Sequence, residues 1–483
     1  MSKGIEKIKI PIKASELTID AVEPYLKAVF RIFRDNCQKI RKDYDTYCLD
    51  HAILSKTRVC DDDSDVNHKV LIPNLMSAID WKNGYVHGNP IKYAQSKTTN
   101  TDDIEYLNKY TRSCRKQSVD KSVGAWVYAT GIGYYFIEPK RTDFDTEQEA
   151  PFVLYCLEAD TCAKVYSSYV GNEPLFDLIY TTYEKIDKDQ LTTKYDVLQI
   201  YLGDTLYTYE KKIGDIDFVR RSVESRGLAG KPLPLVEKRL NDNGIGIVAM
   251  GRSLQEAIDN MISNGLDNVE DIVNEIFVYQ NVSLGKDHAE QAANHRAMKK
   301  NRALVLNTPS GSQHPAKLDT ITPKLSLADL CELYAIANER FHSTIGVPVA
   351  VSSTNSGGTT KSGSEVANGY DNAYNRALDD KNSFMLADME LLEKILWICK
   401  NTPNNHVDNL SASDIEIKYA INLTDNILSK TQAYVNLVSN GVPPTMALRM
   451  CKLSNDPEAE GRLIDEYAKT HQVQQSNPSQ EEL

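Results

Sequence analysis

RSLQEAIDNMISNGLDNVEDIVNEIFV, residues 252 to 278, is the stretch on which the fold reading turns. Leu254, Ile258, Met261, Gly265, Val269, Ile272 and Ile276 recur every three or four residues, the period of one helix face. At 1.5 Å per residue that is roughly 40 Å of helix. Two more long helices follow. One is expected over 325 to 345, with Leu327, Leu330, Tyr334, Ala337, Phe341 and Ile345 on a stripe. The other is expected over 364 to 400, with Val366, Tyr370, Ala373, Ala377, Phe384, Leu391, Ile395 and Ile398, and would exceed roughly 50 Å. Between the first and second, residues 279 to 324 read as short strands and one helix.

Between the second and third lies SSTNSGGTTKSGSEVANGY, 352 to 370. It has the outline of a phosphate-binding loop, but Thr360 stands where such a loop needs its last glycine before Lys361 and Ser362. The apolar run before it, GVPVAVS, contains Pro348 and makes a poor central strand. Taken alone it is a glycine-rich loop joining two helices.

Upstream, 16 to 58 reads as helical, 72 to 93 as a helix ended by Gly88 and Pro90, and 101 to 129 as a second helix running into the strand ATGIGYYFIEP. From 151 to 221 the period changes to two, with tyrosine-rich strands and a Gly203-Asp204 turn, so an antiparallel meander is expected. No basic residues interleave with these tyrosines, which favours sheet packing over base stacking. Near the C-terminus Gly441, Pro443-Pro444 and Asn455-Asp456-Pro457 punctuate a helical cluster, and THQVQQSNPSQEEL reads as a disordered polar tail.

Composition bounds the function. Hydrophobic residues make up 41% and charged residues 25% of 483, which suits a soluble globular chain of about three domains. No run of 18 apolar residues occurs, and the N-terminus lacks a signal-peptide core, so no membrane association is expected. The nine cysteines show no C-x-x-C spacing and read as free thiols in a reducing cytoplasm. Net charge is −12, so the surface as a whole should not grip nucleic acid. No G-x-S-x-G or H-E-x-x-H motif occurs, and His288 and His295 lack companions for a metal site. No catalytic residue, cofactor or metal is expected.

Four stretches, in order, carry a family resemblance: PNLMSAIDWKNGYVHGNPI, WVYATGIGYYFIEP, KPLPLVEKRLND followed by SLQEAIDNMISNGLDNVEDI, and NDPEAEGRLIDEY. Over roughly residues 70 to 470 the chain resembles the portal proteins of tailed bacteriophages, of the type found in siphophages and prophages of Gram-positive bacteria. The resemblance implies an α+β subunit with long stem and wing helices, an antiparallel β-rich wing, a small α/β clip and a helical crown. It divides the chain into a wing (1–250), a stem helix (251–278), a clip (279–324) and a second stem helix (325–346). A tunnel loop (347–363), a long wing helix with return strand (364–423), the crown (424–470) and the tail (471–483) follow.

The same resemblance implies a non-enzymatic ring of twelve subunits at a capsid vertex of the virion, assembled in the host bacterial cytoplasm. Double-stranded DNA would pass through it. Partners would be the terminase packaging motor, a head-completion adaptor, and major capsid and scaffolding proteins. Thr354, Asn355, Ser356, Gly357, Gly358, Thr359, Thr360, Lys361, Ser362 and Gly363 would then form the loop that meets DNA. Arg296, Lys299, Lys300 and Arg302 would dock partners at the clip, or would simply be a solvated charged helix. Glu256, Asp259, Asp267, Glu270, Asp271 and Glu275 would give the stem an acidic face that repels phosphate. They read equally as a solvated outer face. Two other classes stay open: a phage adaptor without a DNA channel, and a packaging ATPase, which Thr360 disfavours.

Overall fold

The computed structural model describes residues 4–57, 67–95, 101–140, 144–186, 192–215, 217–227, 230–273, 276–280, 287–301, 317–321, 327–348, 363–421, 427–451, 453, 460–461 and 463–464. Contacts divide the chain into two units. The first comprises Met1–Asp50, Pro73–Arg252 and His342–Leu483, the second His51–Ile72 and Ser253–Phe341. Residues 51–72 thus group with 253–341 and not with the rest of 1–250.

The first unit opens with β1 (Ile8–Ile10), α1 (Ile19–Val22) and α2 (Leu26–Tyr47). Thr18 caps α1 by accepting from Ala21 N. Only part of 16 to 58 is therefore α-helical; 52–55 is a short 3₁₀ turn of the second unit. Next come α3 (Asn74–His87), β2 (Lys92–Gln95), α4 (Thr101–Ser113) and α5 (Lys116–Thr130).

The single helix expected over 101 to 129 is two. Thr111, Ser113 and Cys114 each turn a side chain back onto a carbonyl three residues earlier, which competes with helix propagation. Arg115 then adopts φ 56°, and α5 starts afresh.

The strands are β3 (Ile132–Pro139), β4 (Phe152–Leu157), β5 (Cys162–Ser167), β6 (Pro174–Ile186), β7 (Thr192–Leu202), β8 (Thr205–Lys212), β9 (Val219–Ser225) and β10 (Leu235–Arg239). The expected meander is β5 to β9, antiparallel throughout, with Gly203 at φ +54° closing the β7–β8 hairpin at Leu202 and Thr205. Two departures correct the sequence reading. Strand β1 joins the meander edge in parallel with β5. Strand β4 leaves it and pairs with β3, in a separate sheet ordered β10-β3-β4. The reason lies in β3, which is buried along most of its length and needs a neighbour on both edges.

The meander packs on α1 and α2 through Ile10, Val29, Phe33, Phe176, Leu198 and Ile200, all buried. Its tyrosines serve the sheet: Tyr209 is buried, and Tyr183 stacks on Tyr195 across β6 and β7 at 5.4 Å.

The long helix α6 (Ile247–Val273) crosses into the second unit, which holds β11 (Ile276–Gln280), α7 (His288–Asn301), β12 (Lys317–Ile321) and most of α8 (Leu327–Ile345). Helix α6 begins five residues before the expected 252 and ends at Val273, so Ile276 lies in a strand and not on the helix stripe. The run Ile-Phe-Val-Tyr at 276–279 suits a pleated strand better than a helix, and β11 pairs antiparallel with β12. The early start depends on glycine. A Cβ on Gly246 would lie 2.2 Å from Ala129 O.

The first unit closes with α9 (Gly363–Lys400), β13 (Ile415–Lys418), α10 (Ile427–Ser439) and α11 (Pro444–Cys451). Strand β13 pairs with β2. Over its 38 residues α9 spans about 57 Å. Ala373, Ala377, Phe384, Leu391, Ile395 and Ile398 form its buried stripe. No described helix is long and apolar enough to cross a membrane.

Candidate functional site

The second unit contains an arrangement the sequence reading did not foresee. On α6, Asp259, Ser263 and Asp267 repeat every four residues and share one face. Alternate amides of residues 68–72 bond to them in turn. His68 N donates to Asp267 Oδ1 at 2.7 Å, Val70 N to Ser263 Oγ at 3.0 Å and Ile72 N to Asp259 Oδ1 at 3.0 Å. The match is metric: four helical residues rise about 6.0 Å, and two extended residues advance about 6.6 Å. Side chains on a helix thus stand in for the neighbouring strand that this segment lacks. Two imidazoles reinforce it, His51 Nδ1 donating to Asp259 Oδ2 at 2.8 Å and His68 Nδ1 to Asp267 Oδ1 at 2.9 Å. Gln255 donates to Asp259 Oδ1 at 2.8 Å and to Ile72 O at 2.6 Å.

This corrects two of the six acidic residues expected to face DNA or solvent. Asp259 and Asp267 are 1% and 3% exposed, and their charge is used on amides and imidazoles of the same chain. A carboxylate four positions from a serine looks solvated in sequence because its partner lies nearly 200 residues upstream. Glu256 is exposed. Glu270 and Asp271 lie within α6 by backbone, and Glu275 is outside the described residues.

Of the residues assigned to the DNA loop, Thr354, Asn355, Ser356, Gly357, Gly358, Thr359, Thr360, Lys361 and Ser362 lie outside the described residues, and Gly363 opens α9. What is described is the chain leading to them, in the first unit. Gly346 N and Val347 N both donate to His342 O, at 2.8 and 3.1 Å, ending the helix with Gly346 at φ +78°. Arg376 of α9 then donates to Thr344 O at 3.3 Å and to Ser343 O at 3.4 Å, satisfying carbonyls the helix leaves open. A Cβ on Gly346 would sit 2.2 Å from Arg376 Cδ, so this glycine is required for space and for φ.

Of the four basic residues assigned to partner docking, Arg296 is exposed on α7. Lys299 and Lys300 lie in the last turn of α7, and Arg302 is outside the described residues. His288 is exposed, and among the described residues no group of three metal-ligating side chains occurs.

Helix α9 is held to the first unit by buried charge. Lys238 of β10, fully buried, donates to both oxygens of Asp388 at 3.2 and 3.1 Å, and Tyr419 donates to the same carboxylate. Burial pushes the Asp388 carboxyl above its usual range, and Lys238 and Lys116 offset this only in part. Glu390 accepts from Lys164 and from Lys394. Burial opposes its charge, but the two ammoniums outweigh that and hold it below the usual carboxylate range. Lys394 is lowered to about 8 by burial first and by Lys164 second. Such groups fix a helix in register, because each charge costs several kcal/mol if displaced from its partner.

The fold is mixed α and β, with several long helices among the described residues. The family described as "Phage portal protein, SPP1 Gp6-like" matches residues 26–474, and the chain belongs to that family. The family is structural, and the protein is not an enzyme. No curated protein matches the chain. Among solved structures, the neck of a native GTA particle computed with C12 symmetry is 11% identical, with TM-score 0.41, covering 78% of this chain and 90% of that one. The neck of an empty GTA particle computed with C6 symmetry is 12% identical, with TM-score 0.37, covering 76% and 85%.

Proposed function

We propose that the chain is the ring-forming subunit, twelve to a ring, through which double-stranded DNA enters a siphophage-type capsid and later leaves it. The observation that carries this reading is family membership over residues 26–474. In the ring, α6 and α8 serve as stem, the β11–α7–β12 segment as clip, the first unit up to β10 together with α9 as wing, and α10 and α11 as crown. Lys361 and its neighbours meet DNA, and the α7 basic residues dock the packaging motor and then the head-completion adaptor. Capsid and scaffolding proteins surround the ring in the virion, after assembly in the host bacterial cytoplasm. The acidic balance supports passage over retention, since a channel that released many counterions would hold DNA tightly. Negative-stain images of the purified protein test the proposal. Rings with a central hole are expected; monomers, or oligomers with no hole, would overturn it in favour of an adaptor role.

A further inference from the structure

The first part of α8, in the second unit, is a helix without a cover. From Ala328 to Arg340 no residue is buried, although Leu330, Leu333, Tyr334, Ala335, Ile336 and Ala337 lie there. Further along the helix, Phe341 is fully buried. Leu330 faces α6 of the same chain, where a Cβ on Gly265 would lie 2.7 Å from Leu330 Cδ2. The flank beside Leu330 is left over. Leu333 and Ile336, three residues apart and so neighbours on that flank, are 55% and 50% exposed. A helical stretch of this length is marginal in water by itself and takes its stability from packing of an apolar face. Helix α8 is apolar on more sides than its own chain covers, which is the pattern of a helix buried in its working state.

The same unit exposes a matching pair. Leu266 and Val269 of α6, also three residues apart, are 41% and 43% exposed. Within one copy neither pair covers the other, since both are exposed. Charge and necessity narrow the choice of cover. Glu332 and Glu339 stand exposed on α8 and would repel a phosphate backbone. The cover is needed for α8 to be a stable helix, so it must be at hand whenever the chain folds. Other copies of the chain meet that condition, and each brings the apolar pair on α6 that the flank of α8 lacks.

We propose that the Leu333 and Ile336 flank of α8 packs on Leu266 and Val269 of α6 in a second copy of this chain, and that α8 is a stable helix only with that copy in place. The two pairs lie on different helices, so the contact is head-to-tail. Contacts of that kind pass from copy to copy and close into a ring when the rotation allows. The inference rests on the ring of the proposed function and names the surface its neighbouring copies share. It adds that ordering of 328–340 and association are one step, as in coupled folding and binding.

The test combines sedimentation velocity and hydrogen exchange on the full chain over a range of concentrations. In the parent, amides of 328–340 should gain protection as copies assemble, while amides of β6 and β7 are protected at every concentration. Leu333→Glu with Ile336→Glu places charge in the contact and should raise the concentration of half-assembly by roughly tenfold or more. Its amides of 328–340 should stay unprotected where the parent's are protected, with β6 and β7 unchanged as the sign of an intact first unit. Leu266→Glu, on the other helix, should weaken assembly similarly and carries the test if the double variant fails to fold. Variants that assemble at the parent's concentration overturn the contact and leave the ring standing. Amides of 328–340 equally protected in dilute and assembled parent overturn the coupling to folding. A parent that stays monomeric at every concentration overturns the ring itself, and this contact with it.

Discussion

Replacing Asp259 by alanine should damage the second unit far more than any exposed acid on α6. The carboxylate receives three donors: His51 Nδ1 at 2.8 Å, Gln255 Nε2 at 2.8 Å and Ile72 N at 3.0 Å. Its side chain is 1% exposed, so water cannot take its place. Each buried donor left unpaired costs about 1–3 kcal/mol. Allowing for relaxation of the Gln255 amide, the sum is about 4 kcal/mol. At about 2–4 °C per kcal/mol, the melting temperature of the transition that includes this unit should fall by roughly 10 °C. Asp259→Asn keeps an acceptor and should lose about half as much. Glu256→Ala, on the solvent side, should shift it by less than about 1 °C. The assay is a circular-dichroism melt paired with hydrogen exchange at the amides of 68–72, which should lose protection together. If Asp259→Ala melts with the parent and those amides stay protected, the ladder does not hold this segment.

Gly346→Ala should destabilise the first unit by about 1–3 kcal/mol, through the clash with Arg376 and the +78° φ, and an unchanged melt would refute that. Burial first, then Lys238 and Lys116, lower His87 well below its ordinary 6.5. The unfolded chain therefore takes up a proton there that the folded chain refuses, and stability should fall as pH drops below about 6.5. His87→Gln should flatten that limb of a pH–melting curve, and an equally steep limb would count against it. Lys361→Glu, or deletion of 357 to 360, should leave rings intact while slowing DNA packaging, and particles that fill at the normal rate would exclude a DNA contact. Reversing charge at Lys299 and Lys300 should weaken motor or adaptor binding in a salt-dependent way, and full binding at low salt would refute it.

The three long helices were legible because each keeps an apolar period over five turns or more, longer than local chemistry can disguise. Their ends were less so. The strand at Ile276 continues the helical period by chance, and only its partner β12, some 40 residues on, makes it a strand. The break at Arg115 has no glycine or proline to announce it; three short polar side chains turning inward do the work. The departure of β4 from the meander follows from the double burial of β3, which a single strand's pattern does not contain. At the candidate site, Asp259 and Asp267 looked like their neighbours because a carboxylate's solvation is decided by distant chain. The Gln255, Asp259, Ser263 and Asp267 spacing was present in the sequence, but a polar repeat of four reads as a wet face unless an extended partner is supplied.

The ladder on α6 also behaves as a vernier. Its two scales differ by about 0.6 Å per rung, and the helical rungs rotate by about 40° each. Three rungs absorb the drift with bonds of 2.7 to 3.0 Å. A fourth would be out by about 1.8 Å and 120°, beyond what a hydrogen bond tolerates. At the place where that rung would fall, Gln255 reaches back to Ile72 O and takes no further amide. The contact is therefore self-terminating. Lengthening the segment would not lengthen the grip, and a one-residue slip would bring the wrong amides to all three acceptors at once.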